Sequence, residues 1–397
     1  MNLQQWMLMS DKSENRKPWY ARFYVLLFIW VGAGLFTGWK QYSLSEVNSH
    51  INNFQIFRSS FEHFMREMPL YPLYPKEYFD LYLYGPVFAI LMAPFAYLPL
   101  GISVVLWNGL NAGMLFWAVW NLPLDQKKRA WILWIILNST ITALLNTQFH
   151  ALCVAMILWS YIMMQRCKLG WSALLIALGI LIKFYGIVGL AFFFFSKERL
   201  RYAGYLAFWL IIVFLFPFFI GGVDYTWLCY QEWLAVLSHK NSLNVDIHNL
   251  RTDVCVMGMF RRITGDSGLS NLWFLIPSLF VSMWVYFQPK KWGNTTFQLR
   301  LLAFVLIYLM LASTGTESPT LIMAFPGVGI WFVLGDKSRG QWVLFVLTLL
   351  ISSFSPTDLF PKFIREAYVN RYALMILPLL GVWVSLLWDL RKPLPAS

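Results

Sequence analysis

Apolar runs close to the roughly 20 residues that cross a hydrocarbon core of about 30 Å recur along almost the whole chain, and no other feature constrains its fold as strongly. The clearest fall at 21-38, 102-121, 130-145, 150-164, 203-222, 271-287, 299-313, 320-335, 341-354 and 370-389, with shorter pieces at 85-98, 171-182 and 186-195. They predict about 10-13 spans or half-spans. Inside a bilayer the backbone must satisfy its own hydrogen bonds, and runs this long with so little alternation are helices rather than barrel strands. The expected fold class is all-α: a polytopic transmembrane helical bundle. Composition agrees, because 59% apolar and 13% charged residues leave too little polar surface for a soluble body of 397 residues. There is no internal repeat, low-complexity tract or linker, so residues 1-397 read as a single integral membrane domain.

A net charge of +12 would point to nucleic acid in a soluble protein. Here the basic residues sit between the runs: Lys12 with Arg16 and Lys17, Lys127-Lys128-Arg129, Arg166 with Lys168, Lys197 with Arg199 and Arg201, Lys290-Lys291, Lys337 with Arg339, and Arg391-Lys392. Such clusters mark cytoplasmic loops, so membrane lipids and not nucleic acid are the expected partners. The connections left outside are then 40-84, 146-149, the turn 183-186, 223-269, 314-319 and 355-367. That count holds only if 85-98 does not cross, and Pro86, Pro94 and Pro99 make it a poor full-length helix, so a partial span is expected there. The first run follows the charged stretch Asp11-Lys17 without a small-residue cleavage pattern behind it, and is read as a retained span. None of the four cysteines forms a metal-binding pair; Cys229 and Cys255 share one outside loop, as a disulfide or as two thiols.

Two outside loops carry amphipathic stretches. One runs from Asn48 to Met68 with Phe54, Phe57, Phe61 and Phe64 at helical spacing, and is expected on the membrane surface; the other runs from Tyr225 to Leu237 with Trp227 and Trp233. They either roof a cavity at the bilayer boundary or only anchor the bundle. Polar residues inside apolar runs are costly and so mark function. Lys183, between two pieces each too short to span comfortably, predicts a helix pair broken at the lysine, which either presents its ammonium to a cavity or snorkels to headgroups. Asn146, Gln148 and His150 end the preceding span pair in the same layer.

The order Asn53-Phe54-Gln55-Ile56-Phe57, Leu70-Tyr71, Tyr84-Gly85-Pro86, Leu98-Pro99, Leu106-Trp107-Asn108, Asn146-Thr147-Gln148 and Lys183-Phe184-Tyr185 resembles glycosyltransferase family 87 of the GT-C superfamily, which includes polyprenyl-phosphate-mannose-dependent mannosyltransferases. The likeness continues more faintly through Gly258-Arg262, Thr316-Thr320 and Ser355-Lys362. It implies a hexosyltransferase of a bacterial plasma membrane, with its active site on the outer face. A sugar such as mannose would pass, with inversion, from a polyprenyl-monophosphate donor to a lipid or glycan acceptor. No cofactor and no metal are expected, and a lipid-linked donor needs no nucleotide-binding glycine loop.

Such a transfer requires a carboxylate to take the acceptor proton and cations for the departing phosphate. The family usually has an aspartate base where this chain has Asn53, and often a histidine where it reads Glu317-Ser318-Pro319-Thr320. Either another carboxylate serves, with Asp80 first, Glu317 second, and Glu46 and Asp358 behind them, or transferase activity has been lost. For the donor phosphate the candidates are Lys183, Arg58, Arg251 and Lys362, although Arg58 with Glu62 four residues on also reads as a surface ion pair and Arg251 as a headgroup contact. Asp358 reads more simply as a helix cap. Gln148, Asn146, Tyr84 and His248 are the expected substrate contacts. A transporter or lipid flippase would show related halves, which this chain lacks; a non-catalytic lipid-binding or assembly subunit is the reading that Asn53 keeps open.

Overall fold

The apolar runs fold as helices, and no strand occurs among the described residues, which are 18–44 and 49–393 of a computed structural model. The cluster at Lys12, Arg16 and Lys17, the carboxylate Glu46 and the start of the amphipathic stretch at Asn48 lie outside the described residues. Phe23–Ser43, Leu100–Trp120, Arg199–Gly221 and Thr295–Ala312 are each long and apolar enough to cross a membrane. Six shorter apolar segments run beside them: His150–Gln165, Leu169–Lys183, Tyr185–Phe195, Leu272–Phe287, Ser318–Leu334 and Arg339–Phe354. Tyr185–Phe195 gains reach by winding as a 3-10 helix, which rises about 2.0 Å per residue against about 1.5 Å for an α-helix.

One end of the bundle gathers the basic loops. Asp125 caps the helix Gln126–Leu145 by accepting the Lys128 N–H, which starts that helix inside the Lys127-Lys128-Arg129 cluster. Arg166 bonds Asn121 at 2.8 Å, Arg199 lies 5.3 Å from the Trp292 ring, and Lys291 donates to the Arg391 and Lys392 carbonyls. Lys337 lies within electrostatic reach of Lys128, and Asp336 within that of Lys392. These contacts link the described basic clusters into one ring.

The stretch 85-98 contributes only the short helices Pro86–Leu91 and Ala93–Ala96, broken at Met92, and does not cross. The amphipathic stretch becomes the helix Asn52–Met65, but its phenylalanine face is not on a membrane surface. Phe54, Phe57, Phe61 and Phe64 are buried against protein, with Phe57 5.3 Å from Phe88 and 5.7 Å from Trp107, and Phe64 5.4 Å from Tyr225. An aromatic pile built by residues 84–107 competes successfully with lipid for that face. The second stretch lies in Val223–Asn244, with Trp233 buried and Trp227 half-exposed. All four cysteines are free thiols.

Candidate active site

At the end opposite the basic ring, the connections close around a cavity of about 1150 Å³. Of the residues singled out in the sequence, Asn53, Asp80, Tyr84, Asn146, Gln148, Lys183, Arg251 and Glu317 line it. Arg58, His248 and Lys362 are not among its lining. Arg58 donates to the Ala96 carbonyl at 3.0 Å and lies 3.6 Å from Glu62, tying the loop helix to the half-span. Lys362 is exposed, 3.8 Å from Glu366, and His248 sits exposed in a turn with its N–H bonded to Asp246.

Lys183 ends the helix Leu169–Lys183; Phe184 then takes a left-handed conformation (φ 54°) and the 3-10 segment runs back beside the helix. Gly179 and Gly186 permit that return, since a Cβ on either would come within 2.7 Å of the other's backbone. Gly85 N–H bonds the Ile182 carbonyl at 3.0 Å, and a Cβ at Gly85 would lie 1.9 Å from the Leu181 oxygen. This close approach brings Tyr84 against the lysine. Lys183 Nζ lies 3.2 Å from the Tyr84 hydroxyl, 4.7 Å from that ring's centroid, 5.6 Å from the Tyr185 ring and 3.0 Å from His150 Nε2. His150 Nδ1 in turn bonds Gln148. The ammonium is thus aimed into the cavity, with aromatic faces and one imidazole as neighbours.

Two carboxylates approach from other walls. Asp80 accepts from the Leu81 N–H at 2.7 Å and from Lys240 at 3.2 Å, and its side chain is half-exposed. Glu317 forms a capping box with Thr320 at the start of Ser318–Met323, so the local fold holds it in place while it still faces the cavity. Burial raises the Glu317 carboxyl above the ordinary glutamate range; Lys183 and Lys240 work against that rise, Asp80 adds to it, and the polar side chain of Gln148 works against it. Asn53 donates to the Asn146 carbonyl at 2.9 Å, which docks the loop helix on the turn after Gln126–Leu145. Asp358 caps no helix: it is fully exposed, 3.8 Å from Arg365, and both line the cavity with Glu366.

The cavity also draws in His150, Lys240 and Arg365, to which the sequence reading gave no site role. His150 had a signal, its place two residues after Gln148 at a span end. Lys240 had none, because its partner Asp80 comes from a distant segment, and Arg365 pairs with Asp358 in a connection that no local pattern ties to the cavity.

The protein is thus all-helical among the described residues, has four helices long and apolar enough to cross a membrane, and carries opposed charges around a polar cavity at one end. The sequence matches Glycosyltransferase family 87 over residues 82–316, more than half of the chain, and the protein belongs to that family. It is therefore a membrane glycosyltransferase. No curated protein and no solved structure matches it. The matched segment holds Lys183, Lys240 and Arg251, whereas the lining carboxylates Asp80, Glu317, Asp358 and Glu366 all lie outside it.

Proposed function

We propose that the protein moves a hexose such as mannose, with inversion, from a polyprenyl-monophosphate carrier to a hydroxyl of a lipid or glycan acceptor. The reaction takes place on the outer face of a bacterial plasma membrane. The observation that carries this reading is the meeting of an aromatic-caged lysine with two carboxylates in one cavity, at the end of the bundle opposite the basic ring. Lys183 meets the donor phosphate, and Arg251 is a second cation in the cavity lining. As the acceptor oxygen bonds to the anomeric carbon, its proton passes to a carboxylate and the bond from that carbon to the phosphate oxygen breaks. The leaving phosphate gains a second negative charge, which Lys183 offsets. Asn53, Asn146 and Tyr84 border the space left for sugar and acceptor.

Asp80 leads the candidates for base on sequence, but its carboxylate is taken up by Lys240 at 3.2 Å and is half-exposed. Glu317, raised by burial, is better matched to proton acceptance near neutral pH, and we assign the base to it. The test is sugar transfer in proteoliposomes with radiolabelled polyprenyl-phosphate mannose and a panel of acceptors. Glu317→Gln should lower turnover by about 10²–10⁴-fold with donor binding retained, and Asp80→Asn by much less. The reverse ranking moves the base to Asp80. A parent protein that transfers from no polyprenyl-phosphate hexose sinks the transferase reading and leaves the assembly subunit that Asn53 keeps open.

A further inference from the structure

A second cavity, of about 650 Å³, opens at the basic end, where the 3-10 segment Tyr185–Phe195 finishes, Arg199–Gly221 begins and Trp292 and Gly293 pass alongside. The 11 residues of that segment, at about 2.0 Å each, part it from Lys183 by roughly 20 Å. It shares no lining residue with the active-site cavity. Its walls carry three cations, Lys197, Arg199 and Arg201, and one carboxylate, Glu198.

Glu198 is taken by Arg201, which lies 2.8 Å from it and also donates to the Tyr205 hydroxyl at 3.3 Å. Arg199 donates through Nε to the Phe194 carbonyl at 3.1 Å, with its guanidinium carbon 5.3 Å from the centre of the Trp292 ring. Both terminal nitrogens of Arg199 are then without a partner among the described residues, and so is the exposed ammonium of Lys197. Elsewhere in the basic ring cations end on protein oxygens, Lys291 on three carbonyls and Lys392 on Asp389. The rim of the cavity is apolar. Leu200 is 91% exposed and Phe194 49%, and the helix that starts at Arg199 turns little of its surface to protein. A ligand seated here meets unpaired cations on one side and hydrocarbon on the other.

We propose that this cavity binds the phosphate headgroup of an anionic glycerophospholipid from the leaflet at the basic end. Basic pockets between membrane helices recognise such headgroups. With Glu198 and Arg201 offsetting each other, Lys197 and Arg199 leave two uncompensated charges. These favour a headgroup of net negative charge over one whose phosphate is balanced by its own ammonium. The Trp292 face and the Phe194 carbonyl hold the Arg199 guanidinium, so its free N–H groups are fixed before the phosphate arrives. Leu200 and Phe194 meet the acyl chains, a contact that free phosphate cannot make.

The test is photocrosslinking in phosphatidylcholine nanodiscs that hold a trace of phosphatidylglycerol carrying a diazirine near the glycerol end of one acyl chain. The readout needs no turnover, so failure of the donor assignment at Lys183 leaves it untouched. Label should concentrate on residues 194–201 and 292–293 relative to the lipid-exposed helix 272–287, and diazirine phosphatidylcholine should show no such concentration. Lys197→Gln with Arg199→Gln should cut the phosphatidylglycerol label there by about thirtyfold. Lys127→Gln with Arg339→Gln removes as much charge from exposed positions elsewhere in the basic ring and should leave the label unchanged. Equal loss in the two double variants reduces the effect to the surface potential of that end and overturns the proposal, as does equal concentration of the two lipids. Displacement of the label by excess inorganic phosphate makes the cavity a site for free anions and overturns it too. Lys197→Gln alone, at a side chain with no protein partner, covers the case in which Arg199→Gln fails to fold. It should lower the label about fivefold, and an unchanged label sinks the lipid site.

Discussion

Among the described residues Lys183 has no carboxylate within ion-pair distance, and its neighbours are an imidazole and two phenol rings. A cation held this way is stabilised by ring faces and one neutral acceptor, and it keeps donor capacity for an incoming phosphate. Lys183→Met retains much of the apolar stem and removes the charge. It should insert normally and lose roughly 1.5–3 kcal/mol of donor affinity, the worth of one charge-assisted contact, read as a rise in donor KM. An unchanged KM and kcat would return the residue to the snorkelling reading. The lysine was legible in the sequence because a charge at the end of a short apolar run has few places to go. Glu317 was legible through the resemblance, which marks its position. The pairing of Asp80 with Lys240, 160 residues apart, has no local pattern and could only be seen in three dimensions.

At the scale of elements, Glu317 is held by the loop in front of it as well as by its own cap. Asp253 N–H bonds the Thr314 carbonyl at 3.0 Å and Val254 N–H bonds that of Thr316 at 2.9 Å, so the 253–254 strand-like pair fixes the approach to Glu317. That pair is fixed in turn by a buried bidentate bridge in which Arg261 Nε and Nη2 each lie 2.8 Å from an Asp253 oxygen, with the two residues 1% and 3% exposed. Arg261→Met leaves the carboxylate buried and unpaired, which should destabilise the protein by about 3–5 kcal/mol and slow transfer through displacement of Glu317. Adding Asp253→Asn, whose side chain tolerates the left-handed conformation at that position (φ 54°), should recover part of the thermal stability. Strictly additive losses in the double variant would show that the bridge does not act as a unit. The sequence carried Gly258-Arg262 only as a faint likeness, since nothing local ties Arg261 to the loop at 314–316. The phenylalanine stripe of Asn52–Met65 teaches the complementary lesson: its period was readable, but lipid and a buried aromatic pile are both apolar partners, and only packing decides between them.

For the whole molecule, the partial span at 85-98 decides which loops share a side. Because the helices Pro86–Leu91 and Ala93–Ala96 turn back without crossing, Lys127-Lys128-Arg129 falls at the same end as the other described basic clusters, and the cavity falls at the opposite end. Alternation of apolar runs and the placement of Lys and Arg were enough to divide the loops between two ends in the sequence. The cavity itself was not legible, because its walls come from connections scattered from residue 41 to residue 370. Because cytoplasmic loops carry the excess of Lys and Arg, we predict that the basic end faces the cytoplasm. Ser267, exposed at the cavity end, and Ser338, exposed at the basic end, make the division testable in intact cells. In a background with Cys153, Cys167, Cys229 and Cys255 replaced, Ser267→Cys should react with a membrane-impermeant maleimide and Ser338→Cys should react only after permeabilisation. Labelling of Ser338→Cys in intact cells would invert the orientation. The cavity, Lys183 and Glu317 would then face the cytoplasm, where a donor presented on the outer leaflet could not reach them.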